Sequence, residues 1–218
     1  EGALDAAKTL ALRRSSDLSA LAALVEAQID IGDGKAAQQT LREMTKQAEF
    51  DAARLVRVGY MQLRASNPAG ATYAAQKALQ GKPGDEAAMV LELEAALLDD
   101  SVAPAAVDAL IAALRTAHPA SISGLRLAGD VAVRRQRFAD AELHYQDAFK
   151  HQPSFALLQR RASLAVLKGE PESAVPLLER WLAEQGEDPK AREILAELRM
   201  REGNWKAARE QYERLIAS

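Results

Sequence analysis

A period of about 34 residues runs along this chain and limits what it can fold into more than any other feature. Residues 125–153 (LRLAGDVAVRRQRFADAELHYQDAFKHQP) and 192–216 (REILAELRMREGNWKAAREQYERLI) overlie one another without gaps. In each, an aromatic residue, Phe138 or Trp205, is followed three residues on by Ala141 or Ala208 and seven on by Tyr145 or Tyr212. Small and aromatic residues at fixed offsets are what two short antiparallel helices need in order to nest and to stack on an identical pair.

Aligning a small eighth residue, a glycine-like fifteenth and an alanine at position 20 gives six units, starting at Leu18, Ala52, Ala88, Ile122, Phe155 and Pro189. Position 15 reads Gly32, Ser66, Val102, Gln136, Gly169 and Gly203, where one helix must end and the chain reverse. Position 20 reads Ala37, Ala71, Val107, Ala141, Ala174 and Ala208, since a larger side chain would hold the paired helices apart. Residues 1–17 continue the numbering backwards as the second helix of a unit whose first helix is missing. The chain is therefore expected to be one continuous domain over 1–218, a fragment of a longer repeat protein.

These residues resemble the tetratricopeptide repeat (TPR), whose pattern is large at 4, small at 8, glycine at 15, aromatic at 17 and 24, alanine at 20 and 27, and proline at 32. In the fourth unit Leu125, Gly129, Phe138, Ala141, Tyr145, Ala148 and Pro153 fill those slots, with Gln136 at 15. The third unit departs most, with Glu94 at 7 and Pro104 at 17. The resemblance implies an all-α, right-handed TPR superhelix (an α-solenoid) of antiparallel pairs, six repeats plus one leading helix. Trp181 and Trp205 fall on core slots and are expected to anchor stacked helices.

Helix signals agree with the period. Asn67-Pro68 reads as an N-cap followed by proline at the first helical position, opening a helix through Gln80, and Lys82–Asp85 is the turn after it. Pro176 lies about five residues into the second helix of the fifth unit and predicts a late start or a kink near Glu172–Ser173.

Several function classes are excluded or disfavoured. The formal net charge of −3 supplies no global field toward nucleic acid or an anionic membrane, and no apolar run is long enough to span a bilayer. With no cysteine there is no disulfide, thiol catalysis or cysteine-ligated zinc. His118, His144 and His151 have no metal-ligand spacing, and no phosphate loop or nucleophile–base constellation is present, so no enzyme, cofactor or metal is expected. The run Arg134-Arg135-Gln136-Arg137 lies at the end of a first helix, where cations complement the dipole.

In TPR proteins the first helix of each pair lines a concave groove, through positions 2, 5, 9, 12 and 13, with 6 at its rim. Those slots place Arg57, Tyr60 and Arg64 in the second unit, Glu92 and Asp99 in the third, Arg126, Asp130 and Arg134 in the fourth, and Gln159, Arg160 and Ser163 in the fifth. A polar groove with several arginines suits a protein or peptide partner offering carboxylates, phosphates or backbone carbonyls. The lysine and asparagine set of chaperone-binding TPR domains is absent, since position 5 reads Ala22, Val56, Glu92, Arg126, Gln159 and Glu193.

The second half, over about residues 120–218, is also similar to the large TPR proteins associated with bacterial exosortase and PEP-CTERM sorting systems (PrsT-type), and Leu178-Glu179-Arg180-Trp181-Leu182 is the most telling string. That resemblance implies a lipid-anchored or secreted protein of the Gram-negative periplasm or envelope, a non-enzymatic scaffold in exopolysaccharide export or sorting. The alternative is a regulatory TPR segment of a cytoplasmic signalling or transcription-regulating protein. Apolar surface at the two ends can drive end-to-end self-association.

Overall fold

The structure, a computed structural model, describes residues 2–13 and 17–217, so residues 1 and 14–16 of the leading segment lie outside it. Among the described residues the regular structure is entirely helical. The first helices are α2 (Leu18–Asp30), α4 (Ala52–Arg64), α6 (Glu86–Leu98), α8 (Ile122–Arg134), α10 (Phe155–Leu167) and α12 (Pro189–Arg201). The second helices are α3 (Gly34–Gln47), α5 (Pro68–Gly81), α7 (Pro104–Ala117), α9 (Phe138–His151), α11 (Val175–Gln185) and α13 (Trp205–Ala217), with α1 (Gly2–Arg13) packed in front against α2. They form two compact units, one ending at Pro119 and the other beginning at Ala120, each with its own buried clusters.

Aspartate, asparagine or serine starts most of the helices. Asp17, Asp33, Asp51, Asn67, Asp85, Ser121, Ser154 and Asp188 each accept a backbone N–H of the first turn, satisfying a donor that the helix leaves open. At Asp85 the hydrogen bond from Lys82 and those from the first-turn N–H groups hold the carboxyl below its ordinary range. The reversal inside five of the six pairs is made by a residue with positive φ at position 15: Gly32, Ser66, Gln136, Gly169 and Gly203. Ser66 and Gln136 adopt this conformation without glycine's freedom, at a cost in local strain.

The alanines at position 20 are buried as expected, Ala141 with no exposure and Ala208 with 3 %. Close approach is enforced elsewhere too. A Cβ on Gly129 would lie 2.4 Å from the Tyr145 ring, and one on Gly59 would lie 2.2 Å from a Leu91 methyl. Pro176 has the predicted effect: residues Pro171–Ala174 form a 3-10 turn, and α11 begins only at Val175, leaving the proline in its first turn where no N–H is needed.

Two expectations are corrected. The third unit starts at Glu86, two residues before Ala88, and the extra length falls in the turn Asp99–Ala103, so Val102 has no positive φ. Ala88 and Ala95 misled because they are fully buried, but as third and tenth residues, packed on alanines of α5. Val107 is nevertheless the fourth residue of its helix, like Ala37, Ala71, Ala141 and Ala208 in theirs, and is buried. Trp181 is 9 % exposed and stacks at a tilt on Phe149, with centroids 6.0 Å apart, but Trp205 is 66 % exposed. In the fourth unit the equivalent Phe138 packs in a cluster with Leu164 of the following first helix, and no described helix follows α13.

Candidate functional site: the first-helix face

In the second unit the nominated residues converge on one carboxylate. Asp130 stands on α8 one residue after Gly129, and the missing Cβ there lets Tyr145 of α9 lie flat enough for its hydroxyl to donate to Asp130 Oδ1 at 2.6 Å. Arg126, one turn back on the same helix, donates through Nη1 to Asp130 Oδ2 at 3.1 Å. Arg160, on α10, donates through Nε to Oδ1 at 3.0 Å and through Nη1 to the Ala156 carbonyl at 3.3 Å. Two guanidinium groups from neighbouring first helices are thus held by one carboxylate. Burial, and the acceptor Asp130, push the Tyr145 phenol above its ordinary range, so it remains a hydrogen-bond donor.

Next to this cluster, Gln159 and Ser163 line a groove of about 430 Å³ between α10 and α12, floored by Val166, Leu167, Ile194 and Leu198. Arg134, the last residue of α8, is exposed at the far end of the same helix. The repeat pattern nominated Arg126, Asp130, Arg134, Gln159, Arg160 and Ser163 for this face; it gave no sign of the apolar floor, and Tyr145 entered only as a core aromatic. The signal was present in glycine at 8, aspartate at 9 and tyrosine at 24 within one unit. Arg161 also went unremarked; it donates twice to Glu142 Oε1, at 3.0 and 2.6 Å, and lies over the Phe149 ring.

The first unit brings fewer of its nominees together. Arg57 and Tyr60 are exposed on α4, and Arg64 pairs with Glu26 of the preceding first helix, α2. Glu92 is the seventh residue of α6 once the helix begins at Glu86, and it turns to α5, accepting from Gln76 Nε2 at 2.9 Å. Asp99 lies just past the end of that helix and opens the longer turn, accepting from the backbone and hydroxyl of Ser101, which hold its carboxyl below the ordinary range. Both leave the groove set for the same reason, the two-residue slip. Among the described residues no group of three metal-ligating side chains is found, and no helix is long and apolar enough to cross a membrane.

No protein-family model and no curated protein sequence matches the chain. Solved structures do. PilF of Pseudomonas aeruginosa superposes with a TM-score of 0.63 at 18 % identity, over 77 % of this chain and 75 % of that one. A TPR protein of Thermus thermophilus gives 0.55 at 24 %, over 76 % and 90 %. Yeast Tom70 gives 0.65 at 18 %, over 92 % of this chain and 39 % of its own. The chain has the tetratricopeptide-repeat fold, as its motifs imply.

Proposed function

We propose that this chain is a non-enzymatic protein-interaction scaffold, and that the first-helix face of its second unit grips an extended segment of a protein partner. One observation carries the reading: Asp130 and Tyr145 fix Arg126 and Arg160 beside an apolar groove. Arginines ordered during folding lose little further freedom when a carboxylate or carbonyl arrives, so their fork geometry turns into affinity. The neighbouring Val166, Leu167 and Ile194 supply the apolar contact that such pairs lack.

The test is crosslinking and mass spectrometry of the full-length protein in its native cells, comparing wild type with Arg126→Glu/Arg160→Glu and with Ser163→Trp, which fills the groove from an exposed position without touching the charge cluster. Both variants should lose the same partner while keeping wild-type helicity. Retention of every partner by both defeats the reading.

The narrower setting we propose is a Gram-negative envelope assembly for exopolysaccharide export or exosortase-linked sorting. It is supported by the likeness of residues 120–218 to PrsT-type proteins, above all at Leu178–Leu182. Fractionation of the native host should place the full-length protein in the periplasm or envelope; recovery in the cytosol defeats it.

A further inference from the structure

The outer side of the first unit, formed by second helices α3 and α5, carries a different surface. Two adjoining grooves of about 820 and 520 Å³ share Gln38 and Arg42. Their cations are Lys35, Arg42, Lys46 and Lys77, and among the described residues no carboxylate lines either one. Lys77 is held down by the Thr45 carbonyl, at 3.0 Å, and by the Phe50 ring. Lys35, Arg42 and Lys46 are exposed and take no hydrogen bond or ion pair among the described residues.

The floor is built as well. Asn67 caps α5 by accepting the Gly70 N–H at its Oδ1, which fixes the amide so that Nδ2 faces inward. That Nδ2 donates at 2.8 Å to both Gln38 Oε1 and Gln62 Oε1. Both glutamines must therefore offer oxygen to Asn67 and turn their NH2 groups away from it. Gln62 is 3 % exposed, forms part of the groove floor, and its Nε2 meets no partner among the described residues. Gly70 makes the arrangement possible, because a Cβ there would lie 2.3 Å from Asn67 Nδ2 and 2.7 Å from Gln62 Oε1. From rim to floor the surface offers donors and positive charge.

We infer that this groove is a second docking surface, independent of the first-helix face, and that it takes an extended acidic segment of a protein partner. Charge complementarity sets the sign, and spacing sets the form. Lys35 and Lys46 are eleven residues apart on one helix, roughly 16 Å. That length matches about five residues of extended chain. Arg42 and Lys46, one turn apart, are separated by about 6 Å. Alternate side chains of an extended segment are about 7 Å apart, so acidic residues two positions apart meet Arg42 and Lys46, and one about three positions further on reaches Lys35, roughly 10 Å from Arg42. The NH2 groups of Gln38 and Gln62 then serve the backbone carbonyls between them.

The experiment is fluorescence anisotropy of a labelled peptide of alternating glutamate and serine, titrated with the full chain. The peptide should bind in a salt-sensitive manner. Affinity should fall about tenfold or more in Arg42→Glu/Lys46→Glu, whose positions are exposed and spare the fold. It should fall severalfold in Gln62→Leu, checked for native helicity, and stay at the wild-type value in Lys206→Glu, which reverses an exposed cation on α13 outside both surfaces. Equal affinity in the charge-reversed variant overturns the inference. So does tighter binding of oligogalacturonate or inorganic phosphate than of the peptide, which would make the groove a glycan or free-anion site. Concentration-dependent self-association abolished by Arg42→Glu/Lys46→Glu, with no peptide binding, would assign the surface to a second copy of this chain and overturn it equally.

Discussion

Arginines packed between helices of the compact unit that begins at Ala120 come with carboxylates attached, whereas Lys35, Arg42 and Lys46 on the α3–α5 face form no ion pair among the described residues. Arg126 and Arg160 share Asp130, Arg161 is closed onto Glu142, and Arg199 lies between Glu179 and Glu202. Arg192 is 4 % exposed, in a slot that holds an apolar residue in the other units, and is satisfied by Glu187 and Gln211. Among the described residues Lys35, Arg42 and Lys46 have no such partner. Pairing between helices some 20 or 30 residues apart makes arginine a fixed part of a packed seam, with its geometry set before any ligand arrives. Cations left unpaired over an amide floor keep their charge available for association. The two units therefore present different chemistry on one backbone plan: a preorganised clamp beside an apolar groove, and an open electropositive strip.

The largest expected effect tests whether a seam of the second unit depends on its aromatic anchor. Trp181 is buried against Phe149, and its Nε1 donates at 2.9 Å to Asp188 Oδ2, the residue that also caps α12. Trp181→Ala should cost about 3–5 kcal/mol, read by chemical unfolding, with loss of amide protection concentrated in α11 and α12. Trp205→Ala, at an exposed aromatic, should change stability by no more than about 0.5 kcal/mol. Equal costs would mean that repeat position alone, and not burial, decides what these tryptophans do.

Next in size is a comparison between two glycines in the same slot. Gly129 faces a ring that Asp130 holds by its hydroxyl, whereas Gly59 faces the end of a leucine side chain that can change rotamer. Gly129→Ala should cost about 2–3 kcal/mol and Gly59→Ala about 1 kcal/mol. Gly129→Ala should also loosen Arg160, because the tyrosine must move off the carboxylate that both share. The reverse order in the two melts would show that the tyrosine is not tethered.

Tyr145→Phe sharpens the same point with pH. The ordinary phenol ionises near 10, and burial together with Asp130 raises the folded value above that. The stability that Tyr145 contributes is then fully present below pH 10 and is lost as pH rises from there through the folded value. At neutral pH the phenylalanine variant should be less stable by about 1–2 kcal/mol. Above pH 10 the gap should close, as measured by urea unfolding across the alkaline range. A constant gap would mean that the hydroxyl does not titrate with folding.

How far the sequence foretold this molecule depends on the range of the forces involved. Local signals were legible: the cap at Asn67, the late start forced by Pro176, and reversals at position 15 in five of the six units, all decided within a few residues. The third unit defeated the reading because alanine fits two adjacent registers; Ala88 and Ala95 satisfy a smallness rule yet pack as third and tenth residues. Glu92 and Asp99 were misassigned with it. Periodicity nominates the residues on α8 and α10 for one face, but it does not give their mutual hydrogen bonds, since those depend on side-chain reach between helices. The amide triad of Gln38, Gln62 and Asn67 is of the same kind, as no spacing rule joins the floor of one second helix to the cap of the next.

The smallest effect lies in the reversal between α8 and α9, the pair that carries the clamp. Gln136 sits at φ 57° where the first, fifth and sixth units have glycine. A side chain in the left-handed region costs about 1–2 kcal/mol, and glycine forfeits about 0.5–1 kcal/mol of that through its greater freedom when unfolded. Gln136→Gly should therefore stabilise the chain by about 0.5–1 kcal/mol without altering peptide binding. Ser66→Gly, at φ 54° in the second repeat, should behave alike. If Gln136→Gly instead weakens binding at Arg126 and Arg160 while raising the melting temperature, the strained turn sets the angle at which α9 presents Tyr145 to Asp130, and clamp and turn are one device. If Ser66→Gly leaves the α3–α5 groove untouched at the same time, the strain matters only where a preorganised geometry depends on it.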